Sequence, residues 1–229
     1  MKHNAAQAIC EFGKRVYQNR FVAANDGNLS VRLPDASVLA TPTGVSKGYM
    51  DPDMLVRLSG DGAVLERGER GPSSEVKMHL ALYRENPDIH AVVHTHAPCA
   101  TFLAILHQPI QTPLLPESVV LLGNVPVVDY APPGSDALAE AVAPYGRAHN
   151  AVLLANHGVV TWGADLESAY YTMETVEYYA KILLYSRLFP GQAHTLDRGQ
   201  VEELIRMRAA MGRSKGGYPV LDGDTGRGI

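Results

Sequence analysis

Cysteine is scarce in this chain. Cys10 and Cys99 are the only two among 229 residues, too few for a disulfide framework. Apolar runs are short: none reaches the ~18 residues that a membrane-crossing helix requires, so no membrane span is expected. The opening Met1-Lys2-His3-Asn4 leads into an amphipathic segment and not into the apolar centre of a secretory leader. These absences together lead us to expect a cytoplasmic protein in a reducing compartment. Charge is thin as well, at 19% charged residues and a formal net charge of -4. Neutralising nucleic-acid phosphates needs a basic excess, so no nucleic-acid partner is expected. The Gly-Lys-Ser/Thr signature of a nucleotide-binding P-loop is missing too.

Hydrophobic residues make up 46% of the chain, enough for a substantial core. Ile9, Phe12 and Val16 recur at helical spacing and predict a helix over 5–20. Short strands fit Leu29–Leu33 and Val38–Ala40, and Ser59-Gly60-Asp61-Gly62 marks a hairpin between Leu55–Leu58 and Ala63–Leu65. A helix begins near Ser73-Ser74, carrying Val76, Leu80 and Tyr83. His90–His94 reads as a buried strand with a helix, Ala97–Leu106, behind it. Further strands are expected at Val125–Val128, Asn150–Ala155 and Val159–Trp162. Helices are expected at Ser135 to about Pro144, at Asp165–Leu188 with Asp165 as cap, and at Arg198–Met211. A single α/β domain over residues 1–212, with strands central and helices on the faces, is the simplest architecture. Residues 213–229 form a glycine-rich tail.

Chemistry concentrates in three histidines. His94 and His96 are separated by one residue at the end of an apolar run, so on a strand both imidazoles face the same way. Such a pair alone is commonplace. His157, at a strand-to-turn boundary before Gly158, changes the weighing. Three neutral imidazoles at one point match a catalytic metal site with an open position.

Three loops have the composition of an anion cradle. Pro72-Ser73-Ser74-Glu75 offers hydroxyls and amides at a helix start, a pattern that serves equally for helix capping. Gly27-Asn28-Leu29-Ser30 adds amides and a carboxamide, and Thr41-Pro42-Thr43-Gly44 adds hydroxyls and close backbone approach. In a chain of net charge -4, these suggest a small phosphorylated metabolite bound by neutral donors.

Gly-Asn-x-Ser, Thr-Pro-x-Gly, Ser-Ser-Glu, His-x-His and Asn-His-Gly, in that order between Gly27 and Gly163, resemble the class II aldolase/adducin family. The resemblance implies a central, mostly antiparallel sheet in a three-layer α/β/α domain. It implies a divalent ion on His94, His96 and His157, with zinc first and manganese, cobalt or iron as alternatives. It implies a phosphate pocket of Gly27, Asn28, Thr43, Gly44, Ser73 and Ser74, with Glu75 as acid/base. A homotetramer with active sites between subunits is implied as well. Epimerases of the family carry lysine before Pro-x-Gly and aspartate after Ser-Ser; Thr41 and Glu75 here follow the aldolase pattern.

The implied reaction is reversible cleavage of a ketose 1-phosphate to dihydroxyacetone phosphate and an aldehyde. A dehydratase, a 4-epimerase or a non-catalytic adducin-like module are the alternatives. One departure stands out. Fuculose-phosphate aldolases place a tyrosine over the reacting carbons, where this chain has Leu114-Leu115-Pro116-Glu117-Ser118. Glu117, or Tyr218 from the tail, is the candidate replacement. Leu114, Leu115 and Val119 suit a 5-deoxy or 5-alkylthio pentulose 1-phosphate.

Overall fold

In the computed structural model, residues 2–213, 215 and 216 are described. The chain opens with helix α1 (Lys2–Gln18), whose Ile9, Phe12 and Val16 line one buried face. It starts earlier than the apolar spacing indicates and stops where Arg20 turns to a left-handed φ of 58°. Strands β1 (Asn28–Arg32), β2 (Val38–Ala40), β3 (Val56–Leu58) and β4 (Val64–Glu66) follow as an antiparallel meander. Helix α2 (Val76–Glu85) leads into β5 (Ala91–Thr95) and α3 (Pro98–Ile105). A π turn at Ser118–Leu122 precedes β6 (Val127–Val128) and α4 (Asp136–Val142). Then come β7 (Ala151–Leu154), β8 (Gly158–Gly163), the long α5 (Leu166–Ser186) and α6 (Arg198–Ala210). Asp165 caps α5 in a reciprocal capping box with Ser168, as its position predicts.

All eight strands join one sheet in the order β4-β3-β2-β1-β5-β8-β7-β6. Every pairing is antiparallel except β6 with β7. Strand alternation sorts the side chains into two cores. Ala91 and Val93 of β5 and Val159 of β8 face the core shared with α1, α3 and α5, while Val92, Val160 and Trp162 face the core shared with α2 and α4. The expected three-layer α/β/α arrangement is what the structure shows. Among the described residues no helix is long and apolar enough to cross a membrane.

Two further departures from the sequence reading are also local. The stretch around Ser118 winds into a π turn, which apolar periodicity does not announce. At its start, α2 has Glu75 at the N-cap position with no side-chain cap bond of its own, and the Ser73 hydroxyl accepts the Glu75 N–H at 3.4 Å. Of the glycine-rich tail, Gly216 donates to the Ala148 carbonyl and accepts from the Asn124 amide. The tail beyond it lies outside the described residues.

Candidate active site

Pairing register brings the histidines together. Asn28 of β1 stands opposite His94 of β5, and His94 stands opposite Val160 of β8. Leu154 pairs with Gly158 across the tight β7–β8 turn, which carries His157 back over the end of β5. Asn156 takes the left-handed conformation at that turn, with a φ of 56° that asparagine tolerates better than most residues. The three rings pack at centroid distances of 4.8 to 5.1 Å. One nitrogen of each lies within 4.8 Å of the others.

The ring nitrogens fit a cation. His94 Nδ1–H donates to the Val159 carbonyl at 2.9 Å, which leaves its Nε2 lone pair free. His94 Nε2, His96 Nε2 and His157 Nδ1 are all buried without a hydrogen-bond partner. An unsatisfied buried polar atom costs about 1–3 kcal/mol, and a bound cation relieves that cost. Burial, then repulsion from His94 and His157, pulls the His96 imidazole down to about 4. The ring is therefore neutral at pH 7, the state that ligates metal. Asp26 Oδ2 sits 3.4 Å from His96 Nδ1.

Glu75 reaches the cluster from the start of α2. Its oxygens lie 3.4 Å from His94 Nε2 and 3.2 Å from His157 Nε2. Asn28 Nδ2 donates to Glu75 Oε2 at 2.9 Å and fixes the carboxylate from below. Burial pushes the Glu75 carboxyl up, yet His94 and His157 together pull harder and hold it below the ordinary carboxylate range.

The phosphate-friendly loops meet beside this cluster. Thr43 N–H donates to Gly71 O, and Ser73 N–H donates to Thr41 O, which zips the Thr41–Gly44 loop to the start of α2. A cavity of about 150 Å³ results, lined by Gly27, Asn28, Thr43, Gly44, Ser73, Ser74, Glu75 and His96. Every residue expected in the phosphate pocket is thus on one wall or another.

Glu117 stands elsewhere. It opens the π turn and lines a separate, wider hollow with Glu174, Glu177 and Tyr178. Tyr218 lies outside the described residues. Three groups near the site carry no motif in the sequence: Asp26, Lys47 and Arg70. The last two are cations, where the loop compositions point to neutral donors. Lys47 lines the cavity and is 1% exposed. A guanidinium nitrogen of Arg70 stands 2.9 Å from where a Cβ on Gly44 would be. A lysine so soon after Thr43-Gly44 was the available signal.

Comparison with known proteins agrees with this geometry. The family model described as Class II Aldolase and Adducin N-terminal domain matches residues 7–184. A 3-oxo-tetronate 4-phosphate decarboxylase of Escherichia coli K12 is 40% identical over 208 residues, spanning 89% of this chain and 96% of the relative. An L-fuculose phosphate aldolase of Methanocaldococcus jannaschii is 37% identical over 175 residues, spanning 76% and 93%. The crystal structure of YgbL from Escherichia coli superposes with a TM-score of 0.82 at 36% identity, covering 89% of this chain and 99% of that one. The chain belongs to the class II aldolase and adducin family.

Proposed function

We propose that this protein is a divalent-metal-dependent carbon–carbon lyase that acts on a short phosphorylated keto acid or keto sugar and releases dihydroxyacetone phosphate. One observation carries the reading: three convergent imidazoles, a carboxylate touching two of them, and an anion-sized cradle share one place. Zinc is the metal we propose; manganese, cobalt and iron accept the same ligands.

Two substrate types lead to one intermediate. A 3-oxo-tetronate 4-phosphate is a β-keto acid. Loss of its carboxylate as CO2 leaves an electron pair on C2, conjugated with the C3 ketone. A ketose 1-phosphate cleaved between C3 and C4 leaves the pair on C3, conjugated with the C2 ketone. The two enediolates are the same species, and one proton delivered to carbon turns it into dihydroxyacetone phosphate.

His94, His96 and His157 would hold the metal, which when bound supplies Lewis-acid stabilisation to the oxygens that take up the charge. Glu75, ionised beside His94 and His157, relays to carbon a proton that it takes up from solvent. Asn28 holds one Glu75 oxygen and so aims the carboxyl. Thr43, Gly44, Ser73 and Ser74 grip the phosphate and set the register of the reacting carbon.

Decarboxylation is the reaction we favour. It needs a single proton carrier, which Glu75 supplies. Aldol cleavage needs a second group to take the C4 hydroxyl proton. The other carboxylate of the cavity, Asp26, is turned to His96, and Glu117 lines a different hollow. Aldol cleavage is the second reading, supported by the likeness to the fuculose phosphate aldolase. In it, Glu117 of a neighbouring copy in a homotetramer is the missing carrier.

The test is product analysis with the metal-loaded enzyme. 3-oxo-tetronate 4-phosphate and a panel of 5-deoxy and 5-methylthio ketose 1-phosphates are offered in turn. Dihydroxyacetone phosphate is read by coupled reduction and CO2 by release. Triose phosphate with CO2 supports the decarboxylase, and triose phosphate with an aldehyde supports the aldolase. A product that keeps the carbon chain intact, as from a dehydratase or epimerase, refutes both.

A further inference from the structure

The cradle's hydroxyls and amides are neutral, yet a phosphate ester arrives as an anion. Lys47 is the group that answers this mismatch. It begins a short 3-10 turn, Lys47–Tyr49, just past the Thr41–Gly44 loop. Its side chain runs inward and is 1% exposed. Nζ donates to the Asn25 carbonyl at 2.9 Å and to the Val45 carbonyl at 2.6 Å. Those carbonyls belong to two of the loops that wall the cavity, so the ammonium ties them together at its floor. An ammonium carries three donors, and these bonds use two.

Among the described residues Lys47 makes no ion pair; Asp26 acts on it only through longer-range attraction. Burying a cation without an opposite charge in contact is unfavourable, and carbonyl dipoles offset it only in part. A structural tie between two carbonyls does not require a full charge. A cavity that receives an anion does. Burial lowers the Lys47 ammonium to about 8, with Asp26 opposing, so it remains charged at pH 7. Arg70 stands beside Gly44, which lines the cavity. Its exposed side chain reaches over Gly44, whose φ of 69° and missing Cβ leave room for the guanidinium.

We propose that Lys47 is a direct ligand of the substrate's phosphate, supplying positive charge from the cavity floor, with Arg70 as a second cation at the rim. The inference rests on reading this cavity as the phosphate site. It adds to that reading a charge requirement: the site selects phosphorylated substrates over their free sugar or sugar-acid counterparts through a buried ammonium.

Inorganic phosphate is the probe, titrated calorimetrically into the metal-loaded wild type, Lys47→Met, Arg70→Met and a Ser73→Ala/Ser74→Ala double variant. Methionine keeps the length of the stem and removes the charge. We expect Lys47→Met to weaken phosphate at least tenfold and Arg70→Met to weaken it severalfold. Phosphate affinity within twofold of wild type in Lys47→Met, beside a clear loss in the serine variant, overturns the assignment and leaves the cradle standing. A wild type that binds no phosphate overturns the cradle, and this inference with it. Melting temperatures separate a purely structural role: there, Lys47→Met melts lower but gains the same increment from phosphate as wild type, which also refutes ligation. Should Lys47→Met fail to fold, wild-type protein labelled at lysine Cε decides. Phosphate must move the resonance of Lys47; an unmoved resonance rejects the proposal.

Discussion

Gly158→Ala places a methyl group at the tightest point of the site. A Cβ there would stand 2.5 Å from the Thr95 carbonyl oxygen, 2.9 Å from His96 Cδ2 and 3.3 Å from His94 Cε1. The first of these contacts is with backbone, so it cannot be relieved by a rotamer change. Strand β8 must move away from the end of β5, and that end carries His94 and His96. Overpacking of this kind costs about 1–3 kcal/mol. The larger effect should fall on the metal, because the three rings owe their convergence to this strand pairing. Disturbing the support of a ligand set lowers metal affinity about 10–100-fold. Competition against a chromophoric chelator reads the affinity, and urea unfolding of metal-free protein reads the stability. Val152→Ala serves as control. It removes two methyl groups from a fully buried site in the α2–α4 core, separated from His94 by the intervening Val160 of β8. The control should lose about 1–3 kcal/mol and keep its metal affinity. If Gly158→Ala binds metal as tightly as wild type, or if Val152→Ala loses metal equally, the reasoning that strand register builds the site is wrong.

Three further expectations follow from the geometry. Glu75→Gln should keep its metal and lose about 10²–10⁴-fold in turnover, the range of a single proton carrier; near-normal kcat would remove Glu75 from that role. Glu177 of α5 accepts the backbone N–H groups of Cys99 and Ala100 at 2.9 and 2.8 Å, capping α3 directly after His96. Glu177→Ala should therefore destabilise by about 1–2 kcal/mol, and an unchanged melting temperature would contradict the capping. His79 is fully enclosed, with Nδ1 bonded to Ser30 Oγ at 2.7 Å, and burial followed by repulsion from His94 lowers its imidazole to about 3. The unfolded chain titrates this ring near 6.5 and so binds the extra proton between those values. Stability should thus be full above pH 6.5 and fall as pH drops toward 3, by up to ~1.4 kcal/mol per unit from this group. His79→Gln should show a shallower acid limb in urea titrations at pH 7, 5.5 and 4.5; an identical limb would assign the acid loss to other groups.

Much of the site was legible in the linear chain. His94 and His96 announce themselves because alternation on a strand fixes their common side. The loops at Gly27, Thr43 and Ser73 declare donor chemistry by residue type alone. The helices and strands follow from periodicity, since burial of one face is what forms them. Less was legible where conformation depends on distant partners. The π turn at Ser118–Leu122 packs against α5 and α6, and nothing local encodes it. Glu117 is a plausible proton carrier by type, but its backbone carries it to another hollow.

Residue chemistry and local periodicity therefore determined the α/β class, the ligand types and the cradle's composition. Only the tertiary structure decided that His157 closes on His94 and His96, that Asn28 steadies Glu75, and that Lys47 lies beneath the cradle. The reason is physical. Which side chains share a face is a property of a strand by itself, whereas which strands are neighbours depends on packing and hydrogen bonding across the whole sheet.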